Sequence, residues 1–240
     1  MRTPRTLHSG GDRRGEVIRL EGVRVDAPDR TVLHPLDLEV TEPFTVLVGP
    51  NGSGKSTLLR LLDGLVLPSA GRVLVDGLDP DRDLRALRRR VGFVFTDPDA
   101  QLVMPTAVED VALSLRRTDV RDRDAHARGL LAEAGLGELA DRSVRDVSSG
   151  QRQLLALTTV LATRPRVVLA DEPTTLLDLR TARRVGDVLR DPPGHVGQVV
   201  VATHDLDLAV RADRALWIAA GRVHADGPAP EVVAAYRAWA

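Results

Sequence analysis

One run of nine residues carries the clearest chemistry in this chain. It reads Gly49-Pro50-Asn51-Gly52-Ser53-Gly54-Lys55-Ser56-Thr57 and matches the pattern G-x-x-x-x-G-K-[ST] at every fixed position. Glycines let the backbone curve closely around phosphates. The N–H groups of such a loop and of the following helix N-terminus present partial positive charge to an anion. We therefore predict that these nine residues bind nucleotide phosphates, with Lys55 at the β- and γ-phosphates and the Ser56 hydroxyl on Mg²⁺.

Lysine occurs only once in the sequence, inside this loop. Lys and Arg together number 33, yet Lys55 is the single lysine and Asn51 the single asparagine. A compact ammonium fits between phosphate oxygens, where the planar guanidinium of arginine would not. The choice of lysine here therefore supports a phosphate contact. It also disfavours a P-loop kinase or a GTPase, because the Asn-Lys-x-Asp motif that reads guanine cannot occur elsewhere in the sequence.

The composition limits the partners and the kind of core. Of 240 residues, 43% are hydrophobic but only 2% aromatic, so Leu, Val and Ala must fill the core. The net charge of −1 predicts no nucleic-acid partner, and the lack of cysteine excludes disulfides and thiolate metal sites. No apolar run has the length of a membrane span. These features predict a soluble, intracellular chain.

The apolar spacing predicts an α/β chain with a helical insertion. Residues 1–14 are rich in Arg and Gly and lack the apolar segment of a secretory signal, so we expect a flexible tail before one domain at 15–240. Asp81 is predicted to cap a helix that ends at Arg90. From about residue 96 to residue 164, a helical spacing of apolar residues replaces the alternation of strands and helices. The predicted core strands are Phe44–Val48, Val91–Phe95, Val167–Ala170 and Gln198–Ala202.

Two carboxylates and a histidine follow predicted strands. Asp171 and Glu172 come directly after an apolar strand, where a phosphate-loop ATPase handles Mg²⁺ and the attacking water. Asp171 is predicted to hold Mg²⁺, and Glu172 to orient or deprotonate the water. His204 follows another strand, at the edge where open α/β sheets place their ligands.

Four segments, in this order, resemble those of ATP-binding cassette (ABC) ATPases. They are the loop Gly49–Thr57, the run Val147-Ser148-Ser149-Gly150-Gln151, the strand ending in Asp171-Glu172-Pro173, and His204. The second segment resembles the family's L-S-G-G-Q signature, and Asp178 matches its D-loop aspartate. The resemblance covers nearly everything from Val17 to about Gly227, and it is specific because the segments are independent.

This resemblance implies a fold and a mode of action. The fold is an α/β P-loop NTPase core with a mainly parallel sheet, an antiparallel N-terminal β subdomain and an inserted helical subdomain. Two such domains pack head to tail around ATP and Mg²⁺, so that the signature residues Ser148, Ser149, Gly150 and Gln151 of one domain face the phosphate loop of the other. The implied catalytic residues are Lys55, Glu172 and His204, the last as a sensor of the γ-phosphate.

A narrower resemblance lies in Val91–Thr106. The sequence V-G-F-V-F-T-D-P-D-A-Q-L-V-M-P-T is similar to the ATPases of energy-coupling-factor importers, and most similar to their biotin-type subgroup. This implies ATP hydrolysis that powers uptake of a vitamin, with biotin favoured, or of a transition metal ion. The implied partners are a transmembrane coupling protein, a membrane substrate-binding protein and a second ATPase subunit, identical or paralogous. The implied location is the cytoplasmic face of the cell membrane.

Three positions depart from the family pattern. Thr96 stands where the family has a glutamine that contacts Mg²⁺ and the water, and its side chain has a shorter reach. Ser149 replaces the first signature glycine. Ala27 occupies the place of an aromatic residue that stacks on adenine, which predicts loose discrimination between nucleotides.

Two other functions stay open at this point. Thr96 and Ser149 favour a nucleotide-binding regulatory subunit with weak catalysis, although the retained lysine, carboxylates and histidine count against it. A non-transport ABC ATPase, as in DNA repair or translation, is the other alternative. By resemblance, those chains carry long coiled coils or tandem cassettes, for which 240 residues leave no room.

Overall fold

The computed structural model describes residues 17–240, apart from the side chain of Arg117. The predicted flexible tail, residues 1–14, lies outside the described residues. Over most of the described chain, strands and helices alternate as the apolar spacing predicts. In this part of the chain no helix is both long enough and apolar enough to cross a membrane.

Strands and helices have the following bounds. The strands are β1 (Ile18–Ala27), β2 (Arg30–Val40), β3 (Phe44–Val48), β4 (Ala70–Val75), β5 (Val91–Val94), β6 (Val167–Asp171), β7 (Gln198–Ala202), β8 (Arg214–Ala219) and β9 (Arg222–Pro228). The α-helices are α1 (Lys55–Leu62), α2 (Leu84–Arg90), α3 (Ala107–Ser114), α4 (Arg123–Glu133), α5 (Ser149–Ala162), α6 (Leu179–Arg190), α7 (Leu206–Ala209) and α8 (Ala229–Trp239).

The strands form two sheets of different character. The smaller sheet has the order β2-β1-β4, and its strands pair antiparallel. The larger has the order β5-β6-β7-β3-β8-β9 and is parallel except for the pair of β8 and β9. The fold class predicted from the sequence is therefore confirmed. The carboxyl ends of β3, β6 and β7 lie side by side at one edge of the larger sheet.

The central strands of the larger sheet are covered on both faces, which explains their mostly apolar sequences. β3, β6 and β7 are buried along their whole length. Because side chains alternate between the two faces of a strand, Val46 and Val48 pack into a core shared with α3, α4 and α5. Leu47 points the other way, into a core shared with α1 and the antiparallel sheet. This double burial favours apolar residues on both faces of these strands, and Thr45, Asp171 and Gln198 are the buried polar exceptions.

The middle of the chain forms the predicted helices α3, α4 and α5, which pack on one another. α3 begins with a capping box in which Thr106 Oγ1 accepts from the Glu109 N–H and the Glu109 carboxylate accepts from the Thr106 N–H. Such reciprocal bonds satisfy two backbone donors that the helix itself leaves free.

The predicted cap of α2 is wrong. The helix begins at Leu84 with Asp83 at its N-cap position, rather than at Asp81. The Asp81 N–H instead donates to the Asp79 carboxylate at 3.0 Å, and the Asp79 N–H donates to the Asp83 carboxylate at 3.2 Å. Several aspartates in a short run compete for backbone donors, and their local turn delays the helix start.

Candidate active site

The phosphate loop leaves the carboxyl end of β3 and passes directly into α1. Its glycines have positive φ angles of 143° at Gly49, 74° at Gly52 and 109° at Gly54. At Gly49 a Cβ atom would lie 1.9 Å from the main-chain oxygen of Ile218 in β8. At Gly54 it would lie 2.7 Å from a methyl carbon of Leu33. The loop is thus pressed against neighbouring strands, which requires glycine at these two positions.

Lys55 folds back over the loop that precedes it. Its side-chain ammonium donates to the carbonyl oxygens of Gly49 at 2.8 Å and Pro50 at 3.1 Å, and the residue is only 5% exposed. Burial lowers the pKa of Lys55, while the nearby charges of Glu172 and Asp171 act in the opposite direction. Among residues 17–240 the bonds of this ammonium go to carbonyls and to no carboxylate. A buried cation held in this way is suited to an anionic ligand.

Ser56 and Asp171 meet directly, although 115 positions separate them. The Ser56 hydroxyl donates to Asp171 Oδ1 at 2.8 Å. Asp171 closes β6 and is 3% exposed, and its other carboxylate oxygen lies 3.9 Å from the Arg60 guanidinium. The hydroxyl and the carboxylate that the sequence assigns to Mg²⁺ therefore share one point in space.

Glu172 and His204 form the second contact of the site. The Glu172 carboxylate lies 2.7 Å from His204 Nδ1 and accepts the His204 backbone N–H at 3.2 Å. Glu172 has a φ angle of +50°, in the left-handed region that few residues with side chains adopt. Its N–H donates to the Ala202 carbonyl at 2.8 Å, which continues the pairing of β6 with β7. The His204 ring is mostly exposed.

The signature run lies at the start of α5. Ser148 is the N-cap, its hydroxyl accepts the Gln151 N–H at 3.3 Å, and the Gln151 side chain accepts the Ser148 N–H at 2.9 Å. A Cβ at Gly150 would lie 2.7 Å from Thr181 in α6, so this glycine allows a close helix contact. Ser149 is exposed at the first helical position. Among the described residues, no hydrogen bond or ion pair joins Ser148–Gln151 to the phosphate loop of the same chain.

Asp178 holds the loop that leads from Glu172 into α6. Its carboxylate accepts the N–H groups of Arg180 and Thr181 and the Thr181 hydroxyl, the last at 2.7 Å. The bond from the Thr181 hydroxyl is the main reason that the pKa of Asp178 is lowered. Because Gly150 packs on Thr181, this aspartate also supports the position of the signature helix.

Sequence reasoning did not single out Gln153, a buried polar residue that joins α5 to the segment after β5. It is 2% exposed in α5, and its side-chain amide donates to the Phe95 carbonyl at 3.3 Å. A polar residue among the buried positions of α5 is the signal that could have identified it. Gln101, the other glutamine nearby, also bonds α5, with its amide 2.7 Å from the Ala156 carbonyl. Neither contact points to the phosphate loop.

A groove of about 780 Å³ opens beside the start of α5. Its walls come from the segment after β5, from a short turn before the signature and from α5, and both apolar and charged side chains line it. The lining residues are Asp99, Leu102, Val103, Met104, Pro105, Ser143, Val144, Arg145 and Arg152. One charged pair crosses it, between Asp99 and the Arg152 guanidinium at 3.2 Å.

A buried carboxylate fixes one wall of the groove. Asp110 is 3% exposed and accepts the N–H groups of Val103 and Met104, each at 2.7 Å. Burial raises the pKa of Asp110, and the two backbone bonds oppose that effect. Val103 keeps 69% of its surface exposed on this wall. The groove therefore presents a wall with a fixed backbone, and an exposed valine on it, next to the signature.

Comparisons with known sequences agree with these motifs. A model of the ABC transporter family matches residues 33–175. The biotin transport ATP-binding protein BioM of Rhizobium etli is 39% identical over 222 residues, which cover 92% of this chain and 97% of the relative. The energy-coupling factor transporter ATP-binding protein EcfA1 of Symbiobacterium thermophilum is 43% identical over 217 residues, covering 87% and 75%. The nickel import ATP-binding protein NikO of Rhodobacter capsulatus is 41% identical over 232 residues, covering 90% of each chain.

Solved structures share the fold. The structure of cbiO1 from Clostridium perfringens, part of the ABC transporter complex cbiONQ, superposes with a TM-score of 0.81 at 29% identity, covering 92% of both chains. The dimeric ATP-binding cassette MJ0796 bound to ADP and Pi gives a TM-score of 0.78 at 29% identity, covering 88% of this chain and 98% of that one. The resemblance to energy-coupling-factor ATPases is confirmed by these names. The family model spans more than half of the 240 residues, and this chain belongs to the ATPase subunits of ABC transporters.

Proposed function

We propose that the edge formed by β3, β6 and β7 is the site of ATP hydrolysis. The observation that carries the proposal is the meeting of three separate loops at this edge. Ser56 bonds Asp171, and Glu172 contacts His204. The negative charges of both carboxylates also act on the Lys55 ammonium. Phosphoryl transfer needs little covalent help from the protein and depends mainly on positioning and charge stabilisation. This arrangement supplies both.

The phosphate loop and its lysine bind the phosphates. Ser56 and Asp171 would hold Mg²⁺, which neutralises phosphate charge when bound. Within residues 17–240 no group of three or more His, Cys, Asp or Glu side chains is placed to hold a metal. One hydroxyl and one carboxylate fit Mg²⁺, because this ion takes few protein ligands and completes its shell with phosphate oxygens and water.

Glu172 is assigned the role of base. Its carboxylate orients the attacking water and accepts its proton as the oxygen bonds to the γ-phosphorus and ADP leaves. His204 is held by Glu172 through both its ring and its backbone N–H. A γ-phosphate contact by the exposed side of this ring would report the state of the nucleotide to the base.

The signature residues are assigned to a second copy or a paralogue. Ser148–Gln151 lie at a helix N-terminus, whose N–H groups attract phosphate. In the described chain they make no bond to the phosphate loop. The dimeric state of the MJ0796 cassette supports a head-to-tail pair in which each signature completes the other site.

We propose further that the chain powers an energy-coupling-factor importer at the cytoplasmic face of the cell membrane. The groove beside α5 is suited to an amphipathic helix of a transmembrane coupling protein, since both apolar and charged side chains line it. A membrane substrate-binding protein would select the cargo. Biotin is favoured as cargo because the motif Val91–Thr106 resembles the biotin type and BioM is a relative. A transition metal ion is the second candidate, supported by the nickel import relative.

The test is affinity purification of the tagged chain from detergent-solubilised native membranes, followed by mass spectrometry of the co-purifying proteins. A groove variant, Val103→Asp, places a charge on the exposed apolar wall. Leu67→Asp is its matched control, because Leu67 is a similarly exposed hydrophobic residue outside the groove. We expect the wild type and Leu67→Asp to retain a multi-span protein and a small membrane protein, and Val103→Asp to lose both.

The bound ligand of the small membrane protein then identifies the cargo. Retention of the multi-span partner by Val103→Asp would remove the groove from the docking proposal. If only soluble proteins co-purify with the wild type, the importer proposal fails. A nucleotide-binding regulatory subunit or a non-transport ABC ATPase would then take its place.

A further inference from the structure

The strands that carry the site do not end at the same level. β5 pairs with β6 up to Val94 opposite Ala170, one residue before Asp171. On its other side β6 stays paired, with Asp171 opposite Ala202 and the Glu172 N–H donating to the Ala202 carbonyl at 2.8 Å. The Asp171 carbonyl, which belongs to the same peptide unit as the Glu172 N–H, therefore has no backbone donor from β5.

A side chain supplies this missing bond. The Thr96 hydroxyl donates to the Asp171 carbonyl at 2.8 Å. The peptide unit between Asp171 and Glu172 is consequently held at both ends, by Thr96 at its oxygen and by Ala202 at its N–H. Thr96 is used here as a hydrogen-bond donor to backbone and thus fills a different role from the metal-contacting glutamine of the family.

The orientation of this peptide unit sets the direction of the Glu172 side chain. Rotation of the unit changes the φ angle of Glu172, which stands at an unfavourable +50°. With this angle the carboxylate reaches His204 at 2.7 Å. If the bond from Thr96 is lost, the peptide can turn towards a more favourable angle and carry the carboxylate away from its position.

Thr96 is itself tied to the segment that forms the groove. The Phe95 N–H donates to the Gln101 side chain at 3.4 Å, and the Phe95 carbonyl accepts from Gln153 at 3.3 Å. Gln101 also bonds the Ala156 carbonyl of α5 at 2.7 Å, and the next residue, Leu102, lines the groove. These side-chain bonds attach the start of the segment, where Thr96 lies, to α5 and to the groove wall.

We propose that Thr96 is a positioning residue that fixes the Asp171–Glu172 peptide and thereby the direction of the Glu172 carboxylate. The proposal rests on the role of Glu172 proposed above. It assigns the Thr96 hydroxyl to the Asp171 carbonyl as its partner, and the Mg²⁺ dependence of the variants tests whether the hydroxyl also contacts the metal.

The test compares Thr96→Val, which has the same shape but no donor, with Thr96→Ser, which keeps the donor. Thr163→Val is the matched control, because the Thr163 hydroxyl also donates to a carbonyl at 2.8 Å but lies away from the site. We expect Thr96→Val to lower kcat for ATP at least about tenfold, while KM and the half-saturating Mg²⁺ concentration change by less than about twofold. Thr96→Ser restores kcat to within about threefold, and Thr163→Val leaves it within about twofold of wild type.

Hydrogen exchange gives a second readout that does not depend on turnover. In Thr96→Val the Glu172 amide exchanges at least about fivefold faster than in wild type, because its peptide unit is held at one end only. Thr96→Ser and Thr163→Val keep the wild-type exchange rate at this amide.

Three results would overturn the proposal. They are an unchanged Glu172 exchange rate in Thr96→Val, a Ser variant that behaves like the Val variant, and a shift of the half-saturating Mg²⁺ concentration of about tenfold or more, which would indicate a metal contact. If the proposed role of Glu172 as base is wrong, Glu172→Gln retains turnover, while the exchange result for Thr96→Val still stands. The failure of that role can therefore be distinguished from the failure of the Thr96 proposal.

Discussion

Replacing Gly49 by alanine should destabilise the protein far more than the same change at Gly52. Both glycines lie in the phosphate loop and both have positive φ angles, 143° and 74°. They differ in their surroundings. A Cβ at Gly49 would lie 1.9 Å from the main-chain oxygen of Ile218, whereas a Cβ at Gly52 meets nothing within 4 Å. The pair therefore separates the effect of packing from that of the backbone angle.

The magnitudes follow from these two environments. Ile218 lies in a buried strand, so the loop must move by about 1 Å to relieve the contact at Gly49. At Gly49 such overpacking costs about 1–3 kcal/mol, and the φ angle of 143°, in a region used almost only by glycine, costs about 1–3 kcal/mol. Alanine recovers about 0.4–1 kcal/mol by restricting the unfolded chain, so the net loss is about 1–5 kcal/mol. At Gly52 only the angle contributes, about 1–2 kcal/mol, and alanine recovers the same amount. The net loss there is about 0–1.5 kcal/mol.

The assay is urea and thermal unfolding of both variants without nucleotide. For a chain of this size, about 1 kcal/mol corresponds to about 2–4 °C in Tm. We expect Gly49→Ala to lower Tm by about 2–20 °C, and Gly52→Ala to lower it by less than about 6 °C and by less than Gly49→Ala does. Equal shifts in the two variants, or a Gly49→Ala protein as stable as wild type, would refute the reasoning from the close approach to Ile218.

Three further predictions concern the base, the nucleotide and pH. Glu172→Gln should keep ATP binding but lower turnover by about 10²–10⁴-fold, because the amide cannot accept a proton; single-turnover measurements check this, and an unchanged rate removes Glu172 from the role. ATP and GTP affinities should differ by less than about tenfold, since Ala27 offers no ring for stacking; titration of both nucleotides checks this, and a strong ATP preference contradicts it. Burial raises the pKa of Asp63 to about 6 from its ordinary 3.8, so its charge destabilises the fold above pH 6 and not below pH 4. Asp63→Asn should therefore gain up to about 3 kcal/mol at pH 8 and nothing at pH 3.5, and a gain that is equal at both pH values would exclude this cause.

The phosphate loop and the strand ends were predictable because they are local. The loop needs only its own glycines, and Asp171 and Glu172 follow their strand directly, so their meeting at one sheet edge follows from parallel pairing. The strands themselves were readable because burial on both faces leaves continuous apolar runs.

The features that the sequence did not reveal depend on how separate strands and helices align, or on which of several neighbouring aspartates caps a helix. The use of the Thr96 hydroxyl follows from β5 ending one residue before β6, which the sequence of neither strand reveals. The buried role of Gln153 depends on which face of α5 meets the end of β5. The start of α2 was misplaced because Asp79, Asp81 and Asp83 all offer caps, and their mutual geometry decides between them.

The carboxylate of Asp110 has a kinetic consequence for any partner of the groove. It fixes the backbone of Val103 and Met104 before docking, so little of the binding free energy is spent on ordering this wall. Docking on such a surface approaches rigid-body association, with a rate constant of about 10⁵–10⁷ M⁻¹s⁻¹. Variants of a docked helix should then differ mainly in how long they stay bound, so the lifetime of the complex becomes the quantity that substitutions in the groove adjust.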